Sequence, residues 1–139
     1  MNTSRTMMII KPEAVQAGHV GRIIAMAEER GFKLIDLKMV HFTLSNAQVL
    51  YKVHKGKPFF EPLTEYMASG PCVACLLEKS DAVAALRELV GLVDPAKSPE
   101  GTIRKLFGID VQRNAVHAPD SAENAQREMG LIFGPGALA

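Results

Sequence analysis

The spacing of apolar residues changes along the chain between a strand-like and a helix-like pattern. The run TMMIIK at 6–11, which ends at Pro12, predicts a first strand. Apolar residues then recur with the i, i+3, i+4, i+7 period of a helix, and Gly31 follows as a stop signal. These periodic residues are Val20, Ile23, Ile24 and Ala27. The first part of the chain therefore predicts a strand followed by an amphipathic helix.

Two further strands are predicted by different patterns. In LIDLKMV at 34–40, apolar residues alternate with Asp36 and Lys38, which predicts a strand with one solvent-facing side. The apolar residues of that alternation are Ile35, Leu37 and Met39. The run CVACLLE at 72–78 is continuously apolar, which is typical of a buried strand.

The remaining segments predict helices, one long loop and a short strand. Ser45 can cap a helix through about Val53, and a further helix is expected over 61–69. Asp81 can cap a helix that buries its apolar stripe. That stripe consists of Val83, Leu86, Leu89 and Val90.

Residues 92–108 contain two prolines and two glycines and are expected to be mostly loop, and a loop of that length is usually functional or disordered. A short strand is expected over 114–118. The last helix should open at Asp120, which with Glu123 forms an Asp-x-x-Glu variant of the capping box.

The predicted order is β-α-β-α-α-β-α-loop-β-α. The alternation of predicted strands and helices would by itself favour a parallel α/β sheet. The half-exposed second strand favours antiparallel neighbours instead. An α+β, ferredoxin-like βαββαβ sandwich, with a four-stranded antiparallel sheet and helices packed on it, fits both observations. Linkers, repeats and low-complexity segments are absent from the sequence, so residues 1–139 are expected to form a single domain.

Composition excludes several classes of protein. Apolar residues make up 47% of the chain and charged residues 22%, which is typical of a globular protein. The net charge of +1 argues against nucleic acid as the main partner. No apolar run approaches a membrane span or a signal-peptide core, which predicts a cytoplasmic protein. Cys72 and Cys75 lack a second ligand pair for zinc and should lie on opposite faces of their strand, so buried structural cysteines are expected.

Candidate chemistry rests on side-chain cations and one histidine. Neither of the usual glycine-rich phosphate loops is present in the sequence. A phosphate site would therefore need Lys11 at a strand end, Arg87 on a helix and Arg104 in the long loop. Of the four histidines, His19, His41 and His54 are expected to be solvent-exposed.

His117 differs from the other histidines because it follows a short apolar run and precedes a helix start. From these residues alone, a histidine packed at a strand-to-helix corner is favoured over a catalytic one.

Four segments together resemble the nucleoside diphosphate kinase family. They include Lys-Pro-Glu at 11–13, Gly-Lys-Pro-Phe-Phe at 56–60, Pro-Glu-Gly-Thr-Ile-Arg at 99–104 and Arg-Asn-Ala-Val-His-Ala-Pro-Asp-Ser at 113–121. The resemblance runs from about residue 6 to residue 133, and it reverses the interpretation of His117. It implies transfer of the γ-phosphate from a nucleoside triphosphate to a nucleoside diphosphate through a phosphohistidine, with Mg²⁺ on the phosphates.

The resemblance also implies a role for each matching residue. His117 matches the nucleophile and Glu128 the carboxylate that orients its ring. Arg87 and Arg104 match phosphate-binding arginines. The other matches are Lys11 and Tyr51 near the γ-phosphate and the ribose 3′ oxygen, Asn114 at the sugar, and Phe59 stacked on the base, with Phe60 as the buried neighbour. No protein ligand to the metal is implied.

The sequence departs from the family pattern around the site. Val93 stands where the family typically has Thr, so one hydrogen bond to the phosphates should be missing. Pro119 replaces the usual Ser and removes an N–H, which should leave Glu128 one partner fewer. The remaining departures are Ala118 for Gly, Gln112 for Gly, and Lys105-Leu106 for Gly-Asp.

The family assembles as tetramers or hexamers built from dimers, so a homo-oligomer is expected. Two alternatives stay open. One is a non-catalytic nucleotide-binding regulatory module. The other is a nucleic-acid-binding protein that uses Lys52, Lys55 and Lys57 with Phe59.

Overall fold

The sheet is antiparallel throughout and has four strands. In the computed structural model of the chain, which describes residues 3–138, the strands lie in the order β2-β3-β1-β4. Their bounds are β1 (Thr3–Ile10), β2 (Lys33–Val40), β3 (Cys72–Ser80) and β4 (Val116–His117). β1 pairs with β3 along its whole length, from Thr3 opposite Ser80 to Ile10 opposite Val73.

Seven α-helices accompany these strands within the described residues. They are α1 (Pro12–Gln16), α2 (Val20–Glu29), α3 (Leu44–Leu50), α4 (Phe60–Met67), α5 (Ala82–Val90), α6 (Ile103–Phe107) and α7 (Ala122–Phe133). The strands with α2 and α5 follow the βαββαβ order, while α3 and α4 are inserted between β2 and β3. The ferredoxin-like fold predicted from the sequence is confirmed. None of the helices described is long and apolar enough to cross a membrane.

Strand β1 lies at the centre of the sheet and is buried on both faces. Met8 and Ile10 pack into the core beneath α2 and α5, and Met7 and Ile9 into the core beneath α3, α4 and α7. All four side chains are fully buried, and each such burial stabilises the fold by roughly 1.5–3 kcal/mol. Helices on both faces explain why this strand is a continuous apolar run instead of an alternating one.

Strand β2 differs from its prediction because it is an edge strand with an irregular register. The pairing with β3 shifts between Leu34 and Asp36, which places Ile35 in a bulge. Beyond the bulge, Leu37 and Met39 are 47% and 68% exposed. The expectation of one buried face was therefore wrong at Leu37 and Met39, which lie exposed at the edge of the sheet.

Two predicted helix caps are also wrong. Thr43 caps α3, because its hydroxyl accepts a hydrogen bond from the Asn46 amide at 3.0 Å, so Ser45 already lies inside the helix. Asp81 precedes α5 with φ of 50° and makes no side-chain cap. The first amide of α5, at Ala82, donates instead to the Ser4 hydroxyl at 3.0 Å.

Ser121, not Asp120, caps α7. Its hydroxyl accepts from the Asn124 amide at 3.1 Å. The Asp120 carboxylate accepts from the side-chain amide of Asn124 at 2.7 Å, so it binds a side chain of the first turn and not a backbone amide. The predicted capping box with Glu123 is consequently not formed.

The segment predicted as a long loop contains α6 and a short 3-10 turn at Pro95–Lys97. Thr102 caps α6 by accepting from the Lys105 amide at 3.2 Å. This five-residue helix is important for the site because it carries Arg104, which is buried.

Cys72 and Cys75 are free and buried, as predicted, and they belong to the cores on opposite faces of the sheet. Burial raises the pKa of each thiol to about 12, so neither is a reactive thiolate near neutral pH.

Candidate active site

A cleft of about 440 Å³ opens where the C-terminal end of β1 meets β4 and the start of α7. All nine residues predicted for the site line this cleft, although they come from well-separated parts of the chain. They are Lys11, Tyr51, Phe59, Arg87, Val93, Arg104, Asn114, His117 and Glu128. The fold therefore brings the predicted site residues together.

His117 and Glu128 form the most direct pair in the cleft. His117 lies on β4 opposite Ile9, and its Nε2 is 2.5 Å from Oε1 of Glu128. Glu128 lies on the inner face of α7 with its side chain 5% exposed. Because a carboxylate can only accept a hydrogen bond, this contact assigns the hydrogen of the neutral imidazole to Nε2 and leaves the lone pair on Nδ1. The Tyr51 ring packs edge-on against the imidazole at 5.0 Å between centroids, which restricts its orientation further.

Lys11 supplies a buried ammonium group immediately after β1. Its Nζ donates to the Asn114 side-chain oxygen at 2.7 Å and to the Gln112 carbonyl at 3.0 Å. Burial, reinforced by the nearby Arg104 guanidinium, lowers the pKa of Lys11 to about 8. An anion bound in the cleft would stabilise the ammonium form of Lys11 and so raise its pKa again.

Two arginines add to the positive charge. Arg104 donates to the Val116 carbonyl at 2.9 Å, and burial, followed by repulsion from Arg87, lowers its pKa to about 10. Arg87 reaches the Ala118 carbonyl at 3.4 Å. Among the described residues, none of these three cations has a salt-bridge partner, which favours an anionic ligand.

Two buried polar groups in the cleft have no partner among the described residues. They are the Tyr51 hydroxyl and the Nε of Arg104. Burial, and then the Glu128 carboxylate, raises the pKa of Tyr51, so its hydroxyl keeps its proton and can donate. Buried donors are rarely left unpaired, which favours a ligand that accepts hydrogen bonds at this point.

The mouth of the cleft is apolar. Phe59 is 47% exposed, while Phe60 is buried in the core, as predicted. Val93 and Val111 are also exposed and line the same cleft. An exposed aromatic face beside two valines is suited to a flat apolar group.

Sequence reasoning missed His54. It was predicted to be solvent-exposed, yet it is half-buried and lines the cleft, with its ring 5.1 Å from that of Phe59. Burial and the nearby Lys57 lower the pKa of His54. The sequence held one signal for this position, because His54 follows the predicted site residue Tyr51 by three residues. In the structure a short 3-10 turn connects the two. His19 is also half-buried, against Phe107 at 4.6 Å, whereas His41 is exposed as predicted.

Four of the departures from the family pattern line the cleft, namely Val93, Gln112, Ala118 and Pro119, whereas Lys105 and Leu106 lie outside it. Val93 presents its side chain at the mouth, and its carbonyl accepts from Asn114 at 3.0 Å. Gln112 contacts Lys11 through its carbonyl, so this contact does not depend on its side chain. Pro119 is buried next to the histidine strand. The predicted effects of Val93 and Pro119 on the reaction stay predictions.

Comparison with known proteins identifies the family of the chain. A histidine-centred, cation-lined cleft on a ferredoxin-like sheet places the chain in the class of nucleotide-binding phosphotransferases. Residues 4–138 match the family model described as nucleoside diphosphate kinase. The chain belongs to the nucleoside diphosphate kinase family, a family of enzymes.

Individual relatives are similar over nearly their whole length. A nucleoside diphosphate kinase of Pelotomaculum thermopropionicum is 50% identical, over 96% of this chain and 90% of that protein. One of Saccharolobus solfataricus is 45% identical over 96% of both. The crystal structure of the Aquifex aeolicus nucleoside diphosphate kinase superposes with a TM-score of 0.94, at 41% identity and 99% coverage of each chain.

Proposed function

We propose that His117 carries the phosphoryl group between two nucleotides in a ping-pong reaction. The observation that supports this most directly is the contact between Nε2 of His117 and the buried Glu128, which leaves Nδ1 as the free nucleophile. Nδ1 attacks the γ-phosphorus of a nucleoside triphosphate, a nitrogen–phosphorus bond forms, and the bond to the β-phosphate oxygen breaks. A terminal oxygen of a second nucleoside diphosphate then attacks the phosphohistidine and regenerates the imidazole.

The three cations are proposed to stabilise charge on the transferred phosphoryl group. Lys11, Arg87 and Arg104 line the cleft, and phosphoryl transfer depends mainly on positioning and electrostatic stabilisation. The unpartnered Tyr51 hydroxyl is proposed to donate near the γ-phosphate and the ribose 3′ oxygen. Glu128 holds the imidazole and stabilises the positive charge that the ring gains during attack.

The nucleoside is proposed to bind toward the apolar mouth. Asn114 contacts the sugar, and Phe59 stacks on the base. Stacking tolerates every base because each has a π-face, which suits an enzyme that accepts ATP and other nucleoside di- and triphosphates. Val93 cannot donate where the family has Thr, so we expect weaker nucleotide binding with the chemistry intact.

Enzymes of this family generally use a divalent cation, and we propose Mg²⁺. Among residues 3–138, no group of three His, Cys, Asp or Glu side chains could hold a metal ion. Glu128 is engaged with His117, and Asp120 with Asn124. The residues therefore fit an ion carried on nucleotide phosphates with water, the usual mode for Mg²⁺. When bound, it neutralises phosphate charge.

The direct test follows labelled phosphate through the histidine. The protein is incubated with γ-labelled ATP and Mg²⁺ and then chased with UDP. We expect acid-labile, base-stable label on the wild-type chain that transfers to UDP and is absent from His117→Gln. His41→Gln, which changes an exposed histidine outside the cleft, is the matched control and should label normally. Absence of label from the wild-type chain refutes the proposal.

The same experiments separate the alternatives. Tight ADP binding without transfer would indicate a regulatory module, and an affinity for DNA or RNA that falls steeply with salt would indicate a nucleic-acid-binding protein. We further propose that residues 1–139 form one domain, that the protein is cytoplasmic, and that it assembles as a tetramer or hexamer built from dimers. Light scattering of the purified protein measures the assembly.

A further inference from the structure

The backbone between Asn114 and β4 makes a tight turn that is strained. Ala115 has φ of 77° and is completely buried. The Val116 amide donates to the Asn114 carbonyl at 3.0 Å, which closes a three-residue γ-turn around Ala115. The form of this turn with positive φ is rare, because the Cβ of an L-residue is crowded in that conformation.

This turn places Asn114 and His117 on the same side of the chain. In a continuous strand, side chains three positions apart point to opposite faces. Asn114 and His117 are three positions apart, yet both line the cleft. The γ-turn interrupts the alternation of side-chain directions between Asn114 and His117. The geometry of the site therefore depends on the strained conformation of Ala115.

Both polar backbone groups of Ala115 are bound by the segment that follows β1. The Ala115 amide donates to Oε2 of Glu13 at 2.8 Å. The Ala115 carbonyl accepts from the backbone amide of Lys11, also at 2.8 Å. A hydrogen bond to a carboxylate is among the stronger ones in proteins, so the Glu13 contact is suited to hold a strained turn.

Tyr66 on α4 fixes the Glu13 carboxylate from the other side. Its hydroxyl donates to Oε1 of Glu13 and accepts from the Glu13 amide at 3.0 Å. Burial and the bond to Glu13 raise the pKa of Tyr66, so the hydroxyl remains protonated as the donor. Neither Glu13 nor Tyr66 lines the cleft, so both act at a distance from the ligand.

We propose that Glu13 and Tyr66 are positioning residues that hold the γ-turn at Ala115, and thereby keep His117 and Asn114 aligned in the cleft for phosphoryl transfer. This inference rests on the proposed role of His117. It adds two residues outside the cleft to those that determine the rate of the reaction.

The perturbation is Glu13→Ala, and the measurement is the rate at which saturating γ-labelled ATP and Mg²⁺ phosphorylate the enzyme in a single turnover. We expect the rate to fall roughly ten- to a hundredfold, because small misplacements of a reacting group have effects of that size. Glu28→Ala is the matched control, since Glu28 is exposed on α2 and its removal changes the charge identically. It should leave the rate unchanged.

The decisive measurement repeats Glu13→Ala in an Ala115→Gly background. Glycine adopts positive φ without a steric penalty, so the turn should depend less on its clamp. We expect the loss caused by Glu13→Ala to be smaller in that background by about threefold or more, a coupling that a general loss of stability would not produce. Equal losses in the two backgrounds overturn the proposal.

Tyr66→Phe provides an independent route if Glu13→Ala does not fold. It leaves the carboxylate in place but removes its hydroxyl partner, and it should give a smaller loss that Ala115→Gly again reduces. A Tyr66→Phe loss that is identical in both backgrounds also overturns the proposal. Wild-type protein without label on His117 refutes the proposed function instead, so the two failures are distinguishable.

Discussion

Nucleotide affinity should fall as the pH rises above about 8, because Lys11 has to be protonated to bind phosphate. The pKa of Lys11 is lowered from 10.5 to about 8, mainly by burial. This difference corresponds to about 3 kcal/mol of destabilisation of the ammonium form. Phosphate oxygens, proposed above to contact Lys11, stabilise that form and raise its pKa toward the ordinary value. Binding therefore takes up a proton wherever the pH exceeds the pKa of the free enzyme.

The size of the effect follows from the protonated fraction of Lys11 in the free enzyme. With a pKa of about 8, this fraction is about 0.9 near pH 7 and about 0.1 near pH 9. If the bound enzyme keeps the ammonium form throughout, affinity falls about tenfold across that interval. The affinity is highest below the lowered pKa and is lost as the pH rises through it.

Isothermal titration with a non-hydrolysable ATP analogue that keeps a γ-phosphate, at fixed Mg²⁺ and in paired buffers of different ionisation enthalpy, measures both the affinity and the proton uptake. Uptake should approach one proton near about pH 9. Lys11→Gln should bind weakly with no such pH dependence, so the two curves converge at high pH. Lys33→Gln, an exposed lysine on β2, should behave like the wild type. A wild-type affinity that stays constant, or an equal fall in Lys11→Gln, refutes the reasoning.

Three further predictions concern single side chains. Val93→Thr should tighten ADP binding by on the order of 1 kcal/mol, measured by titration, and unchanged affinity and turnover would contradict the role assigned to that position. Ser121→Ala should lower the free energy of unfolding in urea by about 1 kcal/mol because it removes the α7 cap, whereas Glu123→Ala should have a clearly smaller effect. If the two losses were equal, Ser121 would not be the cap. Cys72 and Cys75 should resist a thiol reagent near pH 8 until the protein is denatured, since burial raises both pKa values to about 12, and rapid labelling of the native protein would argue against that burial.

The sequence predicted the fold where local pattern and burial agree. Residues 6–10 are apolar without interruption because β1 has helices on both faces, and a continuous run indicates this directly. Leu37 and Met39 were misplaced because the exposure of an apolar strand residue depends on its position in the sheet. The position of a strand in the sheet is set by the assembled fold, so it cannot be predicted from the periodicity of one segment.

Where a helix was predicted, its start lies within two residues of the observed one, but its capping residue was misassigned, and α1 and α6 were not predicted. Two candidate caps stand close together at both α3 and α7, namely Thr43 with Ser45 and Asp120 with Ser121. The choice between them depends on where the incoming chain becomes helical, which tertiary contacts decide.

The site was predicted by resemblance to a family, since spacing alone cannot place residues from distant segments in one cleft. His54 and the Glu13–Tyr66 pair were missed for a related reason. Their contacts are with residues from other segments, and an alanine at positive φ has no sequence signature. Glycine or asparagine would have indicated such a turn, whereas Ala115 does not.

The wide separation of contacting segments has a consequence for synthesis. Lys11 meets Asn114 across 103 positions and Glu13 meets Ala115 across 102, while the histidine strand pairs with β1 and awaits Glu128 from the last long helix. On a ribosome, β1 can pair with β3 well before β4 exists. The proposed phosphate site therefore cannot assemble until Glu128 has been synthesised. Chains that stop before Glu128 would lack the carboxylate that contacts His117, so we expect them to be inactive in phosphoryl transfer.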